Sequence, residues 1–280
     1  MKRRFVTLLT AVGVVACGSP ASDASRTPAG TPPPATHGSA TASTSPWPDA
    51  VGEFMAMANV TTGDALLFRH DTSVTPNRIG VIGYDSVATP AALRDVRASP
   101  CAARAMLRLT DAPPGWSLAL DAAHAHPLLI DALEDLSHAD SQQVVVRIQR
   151  ALNTLPDTGG AMEFRGLPVV VRDAWVVQLP GERLVVARAA RLRNLEAAAH
   201  EELRLAVLEG DQLRYVARVA GDEETVESWD LLAALMIQGH PWLAIAREGV
   251  GSLQLELVAR DDTRWHSVWR SDALVCGVSK

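Results

Sequence analysis

From Leu167 onward, short apolar runs alternate with turn-forming residues at intervals of about ten residues. LPVVVRDAWVVQL leads through Pro180-Gly181-Glu182 into RLVVARAARL, and Gly210-Asp211-Gln212 separates LRLAVLE from LRYVARVAG. WDLLAALMI, PWLAIARE, SLQLELVAR and RWHSVWRS follow, divided by Gly239-His240, Gly249-Val250-Gly251 and Asp261-Asp262-Thr263. Connections this short join antiparallel neighbours, since a parallel pair needs a crossover of about a dozen residues. In SLQLELVAR, Leu253, Leu255 and Leu257 alternate with Gln254 and Glu256, which predicts a strand with one dry and one wet face. Residues 192–206 also place Leu192, Leu195, Ala199, Leu203 and Ala206 on one helical stripe, and we read a short helix over 195–202 with a strand after it.

The first half mixes element types. NRIGVIGYD (77–85) reads as a short buried strand, and AARAMLRLTD (102–111) is strand-like before Pro113-Pro114-Gly115 turns into WSLALD (116–121). In ATPAALRDVRAS, Thr89 as N-cap and Pro90 at the first helical position predict a helix. HPLLIDALEDL carries Leu129, Ala132, Leu133 and Leu136 on one stripe, and DSQQVVVRIQRALNTL does the same with Val144, Ile148, Ala151 and Leu155, which predicts two more helices. The expected fold class is α+β, a mixed strand and helix first half followed by an antiparallel β-meander. The pattern changes at Asp157-Thr158-Gly159-Gly160, so a subdomain break within the folded region (49–280) would fall near 157–166.

The first 48 residues are of another kind. Lys2, Arg3 and Arg4 precede an uncharged stretch from Phe5 to Ala16, too short for the roughly 20 residues that span a bilayer core but suited to a secretory signal. Between Gly18 and Pro48 the only large apolar residue is Trp47. Such a Pro/Ser/Thr/Ala-rich segment buries too little to offset its ordering entropy and reads as a disordered tether. Val14-Val15-Ala16-Cys17 resembles the lipobox of bacterial lipoproteins. The resemblance implies cleavage after Ala16, removal of residues 1–16, lipidation of Cys17 and a tether over 17–48. It further implies acyl chains (a diacylglycerol and a palmitate-type chain), enough for stable anchoring where one chain is marginal. Gly18 and Ser19 follow the cysteine, and the family's sorting rule then favours the outer membrane of the cell envelope.

Loss of the three basic residues of that leader would leave 23 Lys+Arg, from 26, against 32 Asp+Glu, a balance of −9. An acidic chain argues against nucleic-acid partners, which require a basic face. Cys101 and Cys276 form an even pair outside the cytoplasm, which reads as a disulfide worth about 5 kcal/mol on the chain-entropy account.

Candidate sites are sparse. His124, His126 and His138 lie near Asp131, Glu134 and Asp135, donor types that could hold zinc or another divalent metal, although the spacing matches no ligand signature. Trp242, Trp265 and Trp269 could form a stacking platform for sugar rings, Trp265 and Trp269 being placed on one strand face; the competing reading is sheet core. Asp222, Glu223, Glu224, Glu227 and Asp230 crowd one stretch without the oxygen spacing of a calcium loop. The chain has no G-x-S-x-G, S-x-x-K or H-E-x-x-H motif, so no catalytic residue is nominated and no cofactor is implied. The expected function is that of a non-enzymatic, lipid-anchored envelope protein that meets envelope proteins or a ligand. The alternatives are a metal-dependent hydrolase built on the three histidines and a carbohydrate binder built on the three tryptophans.

Overall fold

The computed structural model describes residues 47–275 except 53, 59–64, 68–78, 84–87, 99–104, 113, 158, 195–198, 223–224 and 263. The leader, Cys17, Cys101 and Cys276 lie outside these residues, and with them the lipidation and disulfide expectations.

The C-terminal meander forms as its turns demand. Strands β9 (Val170–Leu179), β10 (Glu182–Asn194), β11 (Ala199–Glu209) and β12 (Gln212–Asp222) pair in sequence, and β8 (Ile130–Ala132) adds to β9. A second meander follows: β13 (Ser228–Ile237), β14 (His240–Gly249), β15 (Ser252–Asp261) and β16 (Arg264–Arg270). Here β7 (Ala125–Pro127) adds to β13 and β17 (Leu274–Val275) to β15. The β13–β14 turn is made by Gln238 and Gly239, both with positive φ (50° and 81°). Two left-handed residues give the hairpin turn whose twist matches the strands, and glycine takes that conformation without a Cβ penalty.

Upstream, β1 (Met55–Ala58), β2 (Ala65–Leu67), β3 (Ile79–Gly83), β4 (Ala88–Ala98), β5 (Ala105–Thr110) and β6 (Trp116–Asp121) close into an antiparallel barrel in the order β1-β2-β5-β4-β3-β6. Ala56, Ile79, Val81 and Ala119 form a cluster of their own, while Met55, Met57, Ile82, Leu118 and Leu120 pack on the β13–β16 sheet. Period-2 alternation thus divides β1, β3 and β6 between a narrow lumen, where alanines fit, and an outer face that is also dry.

The β13–β16 sheet lies between two layers. Leu235, Ala244, Ala246, Leu255 and Leu257 meet the barrel. Leu231, Leu243, Ile245 and Val258 meet Val186, Leu205 and Val207 of the β9–β12 sheet. That second sheet buries its far face, through Val176, Val185, Ala187 and Ala206, under α1 (His138–Asn153). The helix starts where Ser137 Oγ accepts the Asp140 N–H at 3.2 Å, and its apolar stripe is Val144, Ile148, Ala151 and Leu152.

The protein is therefore mostly β, with one α-helix among the described residues, and four expectations change. The segment read as a helix from Thr89 is β4. Residues 88–91 pair only with β3, and β5 joins from Ala92 on, so Pro90 sits at a strand start where its missing N–H breaks no second ladder. The stripe at 126–136 is also not helical. Its backbone links the two large sheets, the Leu128 N–H donating to Ala234 O and the Gln178 N–H to Leu129 O, before a short 3-10 turn at Leu133–Asp135. Ala199 to Glu202 belong to β11, while 195–198 lie outside the described residues. Finally, β15 has no wet face at its centre: Glu256 is as buried as Leu255 and Leu257.

Ile148 of α1 is fully buried against the β9–β12 sheet and Val146 on the same helix is half exposed. Ile148→Ala is expected to lower unfolding free energy by about 2–5 kcal/mol, and Val146→Ala to change it by less than about 0.5, read from urea denaturation midpoints at constant slope.

Candidate functional site

The far face of the β9–β12 sheet changes character where α1 ends. Arg191 on β10 stands directly across from Glu202 on β11, and Arg204, two residues on along the same face, stands across from Arg218 on β12. Glu202 is 0% exposed and Arg204 1%. A carboxylate this deep is tolerable only with close cationic partners. Glu202 Oε2 takes Arg191 Nε at 2.5 Å and Arg204 Nε at 3.1 Å, and Arg218 Nε lies 3.1 Å from Glu202 Oε1.

The same arginines fasten the chain that follows the helix. Arg204 Nη1 donates to Leu152 O at 3.0 Å, placing a cation on the carbonyls at the C-terminal end of α1, where the helix dipole is negative. Arg191 Nη2 reaches Asp157 Oδ1 at 2.8 Å, and its guanidinium lies 5.9 Å from the centre of the buried Phe164 ring. The Arg191 guanidinium beside it holds Asp157 below the usual carboxylate range despite opposing desolvation. Burial drives the Arg204 pKa down, only partly offset by Glu202. For Arg191, burial acts in the same direction, but its bonds to Glu202 and Asp157 outweigh it and the net shift is upward.

Beside this cluster is a cavity of about 310 Å³. Its walls include Leu152, Leu155, Leu167 and Pro168, and its polar groups come from Asn153, Asp157, Arg191 and Arg204. Asp157 Oδ1 and Arg204 Nη2 have ion-pair neighbours but no aligned hydrogen-bond partner, although both are buried atoms. This is a small recess with paired arginines on one side and aliphatic carbon on the other. Its charged lining is of both signs, two guanidinium groups and the Asp157 carboxylate.

A second buried charge lies between the two large sheets. Glu256 on β15 takes Arg270 Nη2 at 2.7 Å and lies 3.4 Å from Arg247 Nη1, while Arg247 also pairs with Glu227 and stacks over Trp229 at 5.7 Å. Tyr215 of β12 faces this group. Its burial, and then the Glu256 charge, push its pKa up to about 12.

The residues singled out from sequence fall elsewhere. His124 sits on the turn after β6, its Nδ1 3.0 Å from Asp121 Oδ2 and its ring against Gly52, where a Cβ would come within 2.8 Å. His126 is exposed on β7 and His138 is exposed at the first turn of α1, so the three are set on separate elements. Among the described residues no group of three or more His, Cys, Asp or Glu is placed to hold a metal. Trp242, Trp265 and Trp269 are 8%, 4% and 6% exposed. A bulge in β16 opposite Leu257/Val258 reverses the side-chain parity. Trp269 therefore packs toward the barrel and Trp265 toward the other sheet, its indole N–H donating to Glu209 Oε1 at 2.8 Å. Within the acidic stretch, Asp222 pairs with His200 at 2.9 Å and Glu227 with Arg247.

The arginine cluster was not foreseen from sequence. Its signal is Glu202-Leu203-Arg204 inside an otherwise apolar strand, opposite charges two apart and hence on one face, with Arg191 in the preceding strand. Compared with protein-family models, with curated proteins and with solved structures, the chain matches none.

Tyr215 links this geometry to pH. With its folded pKa raised above its unfolded value, its contribution to stability is complete below about pH 10 and is lost as pH rises toward 12. Ultraviolet titration of the folded protein should show this tyrosine ionising late, near pH 12, and Tyr215→Phe should remove that late step together with part of the alkaline loss of stability.

Proposed function

We propose that this chain is a lipid-anchored cell-envelope protein whose β-rich body acts by contact with envelope proteins or a ligand rather than by turnover. The observation that carries the reading is the run Val14-Val15-Ala16-Cys17 between a short apolar segment and a spacer poor in large apolar residues. Acylation at Cys17 would hold the chain on the membrane, with the outer membrane favoured, and residues 17–48 would set the distance between bilayer and body. Support comes also from where the body begins. The Trp47 indole packs edge-on against Trp269 with ring centroids 4.8 Å apart and donates its N–H to Gly52 O at 2.9 Å. Pull on the tether would thus be borne by a residue docked on β16. Cysteines 101 and 276 are proposed to be disulfide-bonded, as the oxidising compartment favours.

The test is fractionation of cells producing the native chain or Cys17→Ser, followed by in-cell crosslinking. The native chain is expected in the membrane fraction, beginning at acylated Cys17 and crosslinked reproducibly to one or two envelope proteins, and Cys17→Ser in the soluble fraction. A native chain recovered soluble, or with residues 1–16 still attached, would overturn the anchored reading.

A further inference from the structure

We propose that the outer edge of β12 pairs antiparallel with β12 of a second copy of this chain, Ala217 meeting Ala217 on the two-fold axis. This does not rest on the anchor and would hold whether or not Cys17 is acylated.

The first argument is that this edge is open and weakly guarded. β12 ends the β9–β12 sheet, and among the described residues no strand pairs with its outer side. β11 beside it is buried without a break from Glu201 to Leu208, whereas every residue of β12 keeps some exposure. A long edge strand presents unpaired N–H and C=O groups that template a further strand unless proline or charge guards it. β12 has eleven residues and no proline. Its charges are turned back on their own sheet. Arg214 Nε donates to Glu209 Oε2 at 2.9 Å, Arg218 Nε lies 3.1 Å from Glu202 Oε1, and Asp222 at the strand end pairs with His200 at 2.9 Å. Along its middle the edge shows half-buried Tyr215, Val216, Ala217 and Val219.

The second argument is that self-pairing selects one register. Opposed residues of antiparallel strands share a face. Tyr215, Ala217 and Val219 pack toward the β13–β16 sheet, and Val216 packs toward α1. A two-fold register must therefore oppose odd-numbered residues to odd, or the inner layer of each copy would run into the helix layer of the other. Centred on Ala217, it opposes Tyr215 to Val219 and Val216 to Arg218, and it uses the full length of the strand. An axis at Val216 would oppose Arg214 to Arg218, and an axis at Arg218 would oppose that arginine to itself. Like charges directly opposed are destabilising, and axes further out shorten the pairing. Charge and length thus agree on Ala217.

The test is oxidative crosslinking in cells producing the full chain with Ala217→Cys, with Val219→Cys, or with Tyr215→Cys and Val219→Cys together. Disulfide-linked peptides are then identified by mass spectrometry. Directly opposed Cβ atoms lie about 4.5–5.5 Å apart, near disulfide reach, and residues further along are too distant. Ala217→Cys is expected to give a covalent dimer through a 217–217 bond, Val219→Cys alone none, and the double variant a 215–219 bond. Sedimentation of the purified Cys17→Ser chain is expected to give twice the monomer mass. That measurement keeps the test decisive should a cysteine disturb folding, and it separates pairing from anchoring. A Cys17→Ser chain that sediments as a monomer would overturn the proposal. So would equal crosslinking of Ala217→Cys and Val219→Cys, or bonds from position 217 only to a different envelope protein.

Discussion

The β13–β16 sheet has water on neither face along its centre, and most other features of the molecule follow from that. A strand buried on both sides must be apolar throughout or bring a partner for each polar group. β14 takes the first course, with Leu243 and Ile245 on one side and small Ala244 and Ala246 on the other, where the barrel comes close. β15 takes the second, carrying Glu256 into the interior with Arg247 and Arg270 around it. The bulge at Leu231/Ala233 in β13 obeys the same rule. The Leu232 carbonyl beside it accepts the Ser117 hydroxyl of the barrel at 3.0 Å, so the irregularity becomes a joint between layers.

The β9–β12 sheet repeats the arrangement with a helix in place of the barrel. α1 covers only part of its outer face. Where the helix stops, the apolar covering is replaced by Glu202 and its arginines, which hold the helix end and the chain after it. The recess there is a consequence: a loop suspended from long guanidinium side chains packs less closely than a helix laid on alanine and valine.

Much of this could be read in the sequence where local and tertiary signals agree. The meander after Leu167 was legible because short turns force antiparallel pairing, and α1 because its stripe, cap and length all point one way. Misreadings came where tertiary pairing overrides a local pattern. Thr89-Pro90 is a good helix start, yet barrel closure recruits it as a strand. The stripe at 126–136 looks amphipathic, yet Leu129 ends 58% exposed because its backbone is used to cross between sheets. The even alternation of β15 predicted a wet face, since nothing local announces a second layer or the arginines that make Glu256 bearable. A single bulge was enough to put Trp265 and Trp269 on opposite sides. The candidate site was least legible of all, because its residues come from three strands and a loop and only pairing register brings them together.

One sheet, dry on both faces, makes the barrel, the two meanders and the helix a single cooperative body. Native-state hydrogen exchange of backbone amides tests it most directly. The account predicts that amides of Leu243 to Ala246 and Leu255 to Val258 exchange slowest and only by global unfolding, with barrel and β9–β12 amides converging on that same free energy as urea is raised. Barrel amides that open in a separate unit while β9–β12 stays protected, or β14 and β15 amides exchanging before their neighbours, would contradict it.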